Sequence, residues 1–326
     1  MQIYWATHPD VIFGLGAGYT LSNLRMREAL VAIGVELGET ANVAVHLCHP
    51  DLLHPIPGKR NVLLTMTEHH PIQSAFRASF WKVDLVLAPS TFVERIFHRA
   101  ARKAGVKLLV SRLGYNPVVF PFTERSWQPG QPFHWLWCGA PNARKGWPVL
   151  VNTWAKLFMN EAWLDLTLKT TVSEGEGEVI TRGNVTYDSR AYSDNELASL
   201  YSKAHGFVLP TQGEGFGLTP LEALGTGLPV ISTGYGGQLD FLSGETAWLI
   251  DYVMDQTVNS HGQSGNVACA NVATTGSLML EVMRDYPKAL AKAKIGCDRV
   301  AREFTWESAA IELVENIKKQ NWVGVD

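Results

Sequence analysis

Along the first 112 residues, short apolar runs alternate with segments in which apolar residues recur at helical spacing. Five of the runs predict β-strands, over residues 2–6, 42–47, 61–66, 83–88 and 106–112. Strands that alternate with helices are typical of a mostly parallel sheet covered on both faces. The pattern therefore predicts a doubly wound α/β domain.

Two of the helical segments between these strands have recognisable ends. Residues 21–33 are followed by Gly34, and residues 91–104 are followed by Gly105. A glycine directly after a helix commonly takes the left-handed conformation that ends it. Thr91 and Glu94 have the spacing of a capping box, so we expect the second helix to begin there.

Residues 114–132 hold four prolines and two glycines and interrupt the periodicity, which indicates an interdomain linker. A second series of strands and helices follows, and Ser193 and Glu196 form a capping box at one helix start. The predicted strands cover residues 133–138, 164–170, 184–187, 206–210 and 229–233. The predicted helices cover residues 147–158, 194–204 and 220–225, and a long helical stretch at 287–319 is interrupted around 303–306.

Length and composition fit this two-domain interpretation. A chain of 326 residues exceeds what one hydrophobic core usually supports. With 46% hydrophobic and 18% charged residues, the composition is that of a folded globular protein and argues against disorder beyond loops. The formal net charge of -3 provides no overall basic field, so nucleic acid or an anionic membrane would have to bind a local patch.

The cysteines and the apolar runs indicate the compartment in which the protein would fold. The four cysteines lie far apart without a C-x-x-C pair, which argues against a disulfide framework or a cysteine zinc site. No run of about 18 apolar residues occurs, and the first ten residues lack the pattern of a signal peptide. We therefore expect a soluble cytoplasmic protein and leave contact with a membrane surface open.

A glycine-rich turn follows the predicted strand at 206–210 and carries the clearest chemistry. It reads Gly213-Glu-Gly-Phe-Gly217, and we expect the next helix to begin with Thr219 as N-cap and Pro220 as its first residue. Glycines allow the backbone to approach a ligand, and a helix start directs unpaired N–H groups and a positive dipole end toward an anion. The turn therefore predicts a phosphate site.

Two acidic residues, Glu214 and Glu222, frame this turn. A carboxylate can accept hydrogen bonds from two vicinal hydroxyls, so the pair could hold two polyols such as a ribose and a hexose. Two plainer interpretations remain open: Glu222 could complete a capping box with Thr219, and Glu214 could be a solvated loop residue.

The stretch EGFGLTPLEALGTGLPVI, followed by GGQLD, resembles the acidic motif of the retaining glycosyltransferases of family 4, which include glycogen-synthase-like and sucrose-synthase-like enzymes. The resemblance continues in NARKG at 142–146, in SDNELASLYSKAHGFVLPT and in FTWESAA at 304–310. It is weaker in the first half, where GLGAGYT, DLVLAPSTFVERIF and LGYNPVVFPF carry it.

The resemblance implies the GT-B fold, in which two Rossmann-like domains face each other across a cleft and the last helix crosses back to the first domain. We accordingly expect an acceptor-binding domain over residues 1–122 and a nucleotide-sugar-binding domain over 123–303. Residues 304–326 would form the returning helix.

The resemblance also implies roles for single residues. Glu222 would bind the nucleotide ribose, Glu214 the donor sugar, and Lys145 the leaving diphosphate, with Arg144 replacing an arginine that the family commonly has where Ala140 stands. Further donor contacts are expected at Gly16, Gly18, Gly215, Phe216, Gly217, Leu218 and Thr219. His70 is expected near the donor sugar and the acceptor.

As implied by the family, we expect a retaining, metal-independent glycosyltransferase that uses a nucleotide-diphosphate sugar and no further cofactor. The acceptor stays open among glycan, lipid, protein, small metabolite and modified DNA base, and so does the oligomeric state. Two alternatives are a GT-B sugar-nucleotide epimerase and an inactive nucleotide-sugar-binding protein. Without the resemblance, Arg144 and Lys145 could be a solvated turn, the Gly16 and Gly18 loop an ordinary tight turn, and His70 a surface residue.

One predicted helix carries a basic stripe. Its members, spaced to share one helix face, are Arg95, Arg99, Arg102 and Lys103, with Lys107 nearby. Such a stripe could contact an anionic acceptor, a membrane surface or DNA phosphates, or it could be a solvated helix face.

Overall fold

The computed structural model describes residues 1–6, 17–68, 70–170, 177–258 and 264–322. The chain divides into two compact units. Unit 1 comprises Met1–Gly114, Gln256–Asn266 and Glu303–Asp326, and unit 2 comprises Tyr115–Asp255 and Val267–Arg302. The division at Gly114 precedes the expected domain boundary at 122 because Tyr115, Phe120 and Phe122 pack against residues of unit 2.

Unit 1 is built on a six-stranded parallel sheet with the strand order β2-β1-β3-β4-β5-β6. Its strands are β1 (Gln2–Trp5), β2 (Glu36–Leu37), β3 (Val43–Leu47), β4 (Arg60–Leu64), β5 (Leu85–Ala88) and β6 (Lys107–Val110). Its first helices are α1 (Ala17–Ala32), α2 (Ser74–Ser79) and α3 (Thr91–Ala104). Strands β3 and β5 are buried along their whole length, as expected for central strands of a doubly wound sheet.

The predicted ends of the helices in unit 1 are partly confirmed. Gly34 and Gly105 have φ angles of 82° and 68°, so both end their helices in the left-handed conformation. The predicted capping box at Thr91 is wrong. Ser90, one residue earlier, has extended backbone angles, and its hydroxyl accepts a hydrogen bond from the Val93 N–H.

Unit 2 contains a seven-stranded sheet with the order β13-β12-β11-β7-β8-β10-β9. All neighbours pair in parallel except β9 and β10. The strands are β7 (Phe133–Cys138), β8 (Leu164–Lys169), β9 (Val179–Arg182), β10 (Val185–Asp188), β11 (Gly206–Leu209), β12 (Val230–Thr233) and β13 (Trp248–Ile250). The first helices of this unit are α4 (Trp147–Leu157), α5 (Asp194–Lys203) and α6 (Leu218–Gly225).

Several elements of unit 2 and its surroundings are not predicted by the sequence pattern. They are β9, β13, the paired strands β14 (Tyr252–Val258) and β15 (Ser264–Ala270), and α7 (Val272–Arg284). Strand β9 is exposed along its length, so it lacks the apolar run that marks a buried strand. Helix α7 contains Gly276 and several β-branched residues, which weakens its helical pattern.

The long helical stretch near the end of the sequence is two helices, α8 (Tyr286–Glu303) and α9 (Trp306–Lys318), as the predicted interruption indicates. Thr305 caps α9 by accepting from the Ser308 N–H. Helix α9 belongs to unit 1 and packs against α1. The Glu312 carboxylate also accepts from the Arg112 backbone N–H at 2.8 Å and from its guanidinium at 3.0 Å. Within the described residues, no helix is both long and apolar enough to span a membrane.

Candidate functional site

The carboxyl ends of β7 and β11 lie next to each other in the sheet of unit 2, and their two loops meet there. The loop after β7 contains a short 3-10 helix, Ala143–Lys145, and the loop after β11 is the glycine-rich turn. The Gln212 N–H donates to the Arg144 carbonyl at 2.7 Å, and the Thr211 hydroxyl oxygen lies 3.1 Å from the same carbonyl oxygen. The two loops therefore form one hydrogen-bonded structure.

A glycine makes this close approach possible. Gly146 ends the 3-10 helix with a φ angle of 73°, and a Cβ atom added to it would lie 1.9 Å from the carbonyl oxygen of Pro210. A real Cβ cannot occupy that position, and residues other than glycine rarely adopt that backbone conformation. Gly146 thus allows Lys145 and Arg144 to lie directly beside the glycine-rich turn.

Glu214 is the centre of the site. Only 5% of this residue is exposed, and its two carboxylate oxygens lie 2.9 and 2.8 Å from the Lys145 Nζ. The Thr211 hydroxyl donates to one of these oxygens at 2.9 Å. The interpretation of Glu214 as a solvated loop acid is therefore wrong.

Arg144 adds a second positive charge. Its Nη1 donates to the Gly213 carbonyl at 2.7 Å and lies 3.5 Å from a carboxylate oxygen of Glu214. Burial by itself would raise the pKa of Glu214, but the neighbouring cations and hydrogen bonds outweigh it and hold the pKa below its ordinary value. The carboxylate is consequently ionised at neutral pH, and the predicted grouping of Glu214, Lys145 and Arg144 is what the structure shows.

The helix after the turn begins earlier than the sequence suggested. Gly217 is the N-cap of α6, with a φ angle of 101°, and its carbonyl accepts the first helical hydrogen bond from the Leu221 N–H at 3.2 Å. The prediction of Thr219 as N-cap is therefore wrong, since Gly217 takes a left-handed conformation that lets the helix start at Leu218. Among the described residues, the Thr219 Oγ1 atom is enclosed and has no hydrogen-bond partner.

Glu222 lies one turn into α6 and is buried, with 5% exposure. Its Oε2 atom accepts a hydrogen bond from the Tyr201 hydroxyl at 3.0 Å. Because Thr219 is not the N-cap, the capping-box alternative for Glu222 is wrong. The position holds a buried carboxylate that is hydrogen-bonded to another helix.

The other predicted donor contacts have different environments. Gly215 and Phe216 are buried, and the Phe216 ring packs against Phe241 with ring centres 5.7 Å apart. Leu218 is half-buried at the first position of α6. Gly18 lies exposed in α1 of unit 1, and a Cβ added to it would meet nothing within 4 Å. Gly16 lies outside the described residues.

His70 and the basic stripe belong to unit 1. His70 is exposed, and its carbonyl accepts from the Asn266 N–H at 2.8 Å. Arg95, Arg99, Arg102, Lys103 and Lys107 are all exposed on α3 and at the start of β6. Exposure of this kind is also what a solvated helix face shows, so the anionic contact stays a prediction.

Three residues that complete the site were not identified from the sequence. Thr211 and Tyr201 hold the two glutamates, and the Gly237 N–H donates to the Glu214 carbonyl at 2.7 Å. Thr211 stands three residues before Glu214, a spacing at which a hydroxyl can bond its own turn, and this signal could have identified it. Tyr201 and Gly237 contact the site only through the tertiary fold.

A second polar cluster ends the neighbouring strands β8 and β10. Asp188 is buried and accepts from the Arg190 guanidinium at 2.7 Å and from the Tyr192 hydroxyl at 2.7 Å. Burial by itself would raise the pKa of Asp188, but these hydrogen bonds lower it to about 2. The Lys169 ammonium lies 4.2 Å from the centre of the Tyr192 ring. The carboxyl edge of the sheet is therefore charged beyond the glycine-rich turn.

Comparison with solved structures identifies the class of fold. The structure resembles sucrose-phosphate synthase from Thermosynechococcus elongatus, with a TM-score of 0.71 at 17% identity over 98% of both chains. It also resembles Anabaena HepE in complex with UDP-glucose, with a TM-score of 0.68 at 13% identity over 98% of this chain and 100% of that one. At such identities the likeness shows the fold, which is the predicted GT-B fold of glycosyltransferases.

The sequence comparisons match part of the chain to one family. Residues 167–313 match the family described as "Family 4 Glycosyltransferase in conflict systems". The chain is 31% identical to D-inositol 3-phosphate glycosyltransferase of Corynebacterium urealyticum over 121 residues, which is 37% of this chain and 24% of that protein. It is 36% identical to sucrose synthase of Acidithiobacillus caldus over 124 residues, which is 36% of this chain and 14% of that protein.

The aligned segment thus spans a quarter or less of these curated relatives. The matches bear out the predicted resemblance to glycosyltransferase family 4, and the family match covers residues 167–313, less than half of the chain.

Proposed function

We propose that the protein transfers a sugar from a nucleotide-diphosphate sugar to an acceptor, with retention of the anomeric configuration and without a divalent metal. The observation that carries the proposal is the buried Glu214 of the glycine-rich turn, which Lys145 and Thr211 hold just before the start of α6. The likeness to HepE, whose structure was determined with UDP-glucose, supports a nucleotide sugar as donor.

In this proposal the Glu214 carboxylate accepts hydrogen bonds from hydroxyls of the donor sugar. The Glu222 carboxylate accepts hydrogen bonds from the hydroxyls of the ribose. The diphosphate meets the unpaired N–H groups at the start of α6 and the cations of the neighbouring loop. An ammonium group has three donors, so Lys145 can contact both the Glu214 carboxylate and a phosphate oxygen. The enclosed hydroxyl of Thr219 offers a further donor.

The reaction breaks the bond between the anomeric carbon and the diphosphate oxygen. Negative charge grows on the diphosphate, and fixed donors that meet it lower the barrier by about 2.7–4 kcal/mol each. The acceptor oxygen attacks the face that the diphosphate leaves, and its proton passes to a diphosphate oxygen. No second carboxylate is then required as a base. His70 and Gly18, both in unit 1, stay predicted contacts.

Donor binding is tested first with a thermal-shift panel of UDP-, GDP-, ADP- and TDP-sugars. The best ligand is then used to measure slow hydrolysis and transfer. Lys145→Ala is expected to lower turnover by about 10²–10³-fold, since it removes one donor to the developing charge. Lys156→Ala, which changes an exposed lysine on α4, serves as the matched control and should keep full turnover.

The outcomes separate the competing functions. A product with inverted anomeric configuration would contradict retention. Recovery of a sugar nucleotide epimerised at C2 would assign an epimerase instead. Tight binding without hydrolysis or transfer to any acceptor offered would assign a nucleotide-sugar-binding protein. If no member of the panel raises the melting temperature, the donor site itself is wrong.

A further inference from the structure

Tyr201 links the helix α5 to the buried carboxylate of α6. It is the buried residue of α5, with 0% exposure, and it lies in unit 2 with Glu222. Its hydroxyl donates to the Glu222 Oε2 at 3.0 Å, and the Thr219 carbonyl lies 3.3 Å from the same hydroxyl. A phenol has one proton, so the shorter contact to the charged oxygen is the stronger hydrogen bond.

The tyrosine ring is fixed on several sides. Phe120 meets it edge to face, with ring centres 5.7 Å apart, and Phe207 lies at 6.1 Å. The Tyr201 carbonyl accepts from the Arg125 guanidinium at 3.0 Å, which holds the end of α5. The packing of the ring therefore holds the hydroxyl in position beside Glu222.

The chemistry of the pair suits a fixed donor and a fixed acceptor. Burial raises the pKa of Tyr201 well above its ordinary value, and the nearby Cys138 and Glu222 raise it further, so the phenol keeps its proton. A buried carboxylate without such donors is costly to keep ionised. The hydrogen bond from the tyrosine thus favours one orientation of the Glu222 carboxylate inside the unit.

We propose that Tyr201 is a positioning residue for donor binding: its hydroxyl orients the Glu222 carboxylate so that this carboxylate accepts hydrogen bonds from the ribose hydroxyls of the nucleotide. The inference rests on the proposed function, and it deepens that function by assigning a residue that never touches the ligand. Removing the hydroxyl should weaken the contact with ribose and leave the base and diphosphate contacts unchanged.

The test measures the affinity of wild type and Tyr201→Phe for UDP, GDP and ADP and for their 2′,3′-dideoxy analogues by calorimetry. For the nucleotide that binds best, we expect Tyr201→Phe to lose about tenfold in affinity, as for one hydrogen bond to a charged group. The dideoxy analogue should lose less than about twofold, because it has no ribose hydroxyls to be held. In turnover assays the variant should raise KM for the sugar nucleotide more than it lowers kcat.

Tyr286→Phe is the matched control. Tyr286 is also buried in unit 2, and its hydroxyl donates to the His205 carbonyl at 3.0 Å, on another part of the unit. It should leave the ratio between ribonucleotide and dideoxynucleotide affinities unchanged. A purely structural role of Tyr201 would weaken both ligands equally and keep that ratio as in wild type.

The double variant Tyr201→Phe with Glu222→Gln gives a second measurement. If the hydroxyl acts through the carboxylate, the tyrosine change should have little further effect once Glu222 is replaced. If the affinity losses of the two single variants add fully in the double variant, the inference is overturned. If Tyr201→Phe leaves the ratio of ribonucleotide to dideoxynucleotide affinity unchanged, the inference is overturned as well. In that case, binding of the nucleotides by the wild-type protein would still support the proposed donor site. Absence of binding by wild type would instead overturn the proposed function together with it.

Discussion

Lys145 and Glu214 form a nearly enclosed ion pair, with side-chain exposures of 14% and 6%. A pair of this kind depends on both partners, because removal of one leaves a charge in an interior that solvates it poorly. The interior position would also strengthen the proposed contact of this pair with the donor, since charges interact more strongly where water is excluded.

Replacing Glu214 by glutamine should therefore destabilise the protein as well as impair donor binding. We expect Glu214→Gln to lower the free energy of unfolding by about 3 kcal/mol, which reflects the uncompensated Lys145. Urea unfolding followed by circular dichroism measures this loss. Glu245→Gln, at an exposed position, is the control and should change the unfolding free energy by less than about 0.5 kcal/mol. Equal unfolding curves for the two variants would show that the pair contributes no stability.

His205 gives a prediction about pH. Its pKa is lowered from 6.5 to about 4, first by burial and then by the nearby His134 and Arg125. Between these two values the unfolded chain binds the proton more readily than the folded protein, so stability decreases as the pH falls from about 6.5 to about 4.

His205→Phe, which keeps a ring against Phe133, should flatten this part of the stability profile. Urea midpoints between pH 7 and pH 4 would measure the effect. The exposed His98 is the control, and His98→Asn should follow the wild-type profile. If His205→Phe also follows it, the histidine does not contribute to the pH dependence.

Single residues also show how far the sequence alone could reach. Glycine and acid spacing predicted a ligand contact at Glu214, and the family resemblance implied that Lys145 acts at the same site; both residues stand in local motifs at strand ends. The start of α6 was misplaced, since a threonine followed by proline is a common helix start and the backbone angle of Gly217 is not visible in the sequence. Tyr201 was missed because its contact with Glu222 joins two helices that are separated by a strand.

Among the elements, the loop after β7 has its shape imposed by the neighbouring strand. Its end lies so close to β11 that only glycine fits at position 146. The strand runs themselves were easy to predict, and Phe133–Cys138 has the predicted bounds, because buried parallel strands are continuous apolar segments. Exposed elements such as β9 carry no such segment.

Gly146→Ala tests the role of this loop. The added Cβ would overlap the Pro210 carbonyl, so the loop must move and Lys145 must leave Glu214. We expect donor affinity to fall by at least about tenfold, as for the loss of one charged contact. Gly183→Ala is a matched control, because Gly183 also has a positive φ angle, 60°, but nothing lies within 4 Å of the added Cβ. Similar affinity losses in both variants would attribute the effect to backbone strain alone.

At the scale of the whole molecule, the proposed donor groups of the acidic motif and the basic loop all belong to unit 2. Amide hydrogen exchange should show that the nucleotide contacts unit 2, since ligand binding suppresses the local opening of the segments that the ligand contacts. With the best sugar nucleotide present, amides in residues 139–146 and 213–222 should exchange more slowly. Amides in residues 91–107 of unit 1, including the basic stripe, should exchange at the same rate as without ligand. Protection confined to the basic stripe would place the nucleotide elsewhere.

Unit 1 is assembled from segments that are distant in the sequence, and this has a consequence for biosynthesis. On the ribosome, the first 114 residues emerge before helix α9, which later covers α1. At translation rates of about 5–20 residues per second, the intervening stretch of about 190 residues takes about 10–40 s to synthesise. During that interval the surface of α1 that receives α9 is uncovered in the nascent chain. Trigger-factor-like or Hsp70-like chaperones are therefore expected to associate with α1 until residues 306–318 have emerged.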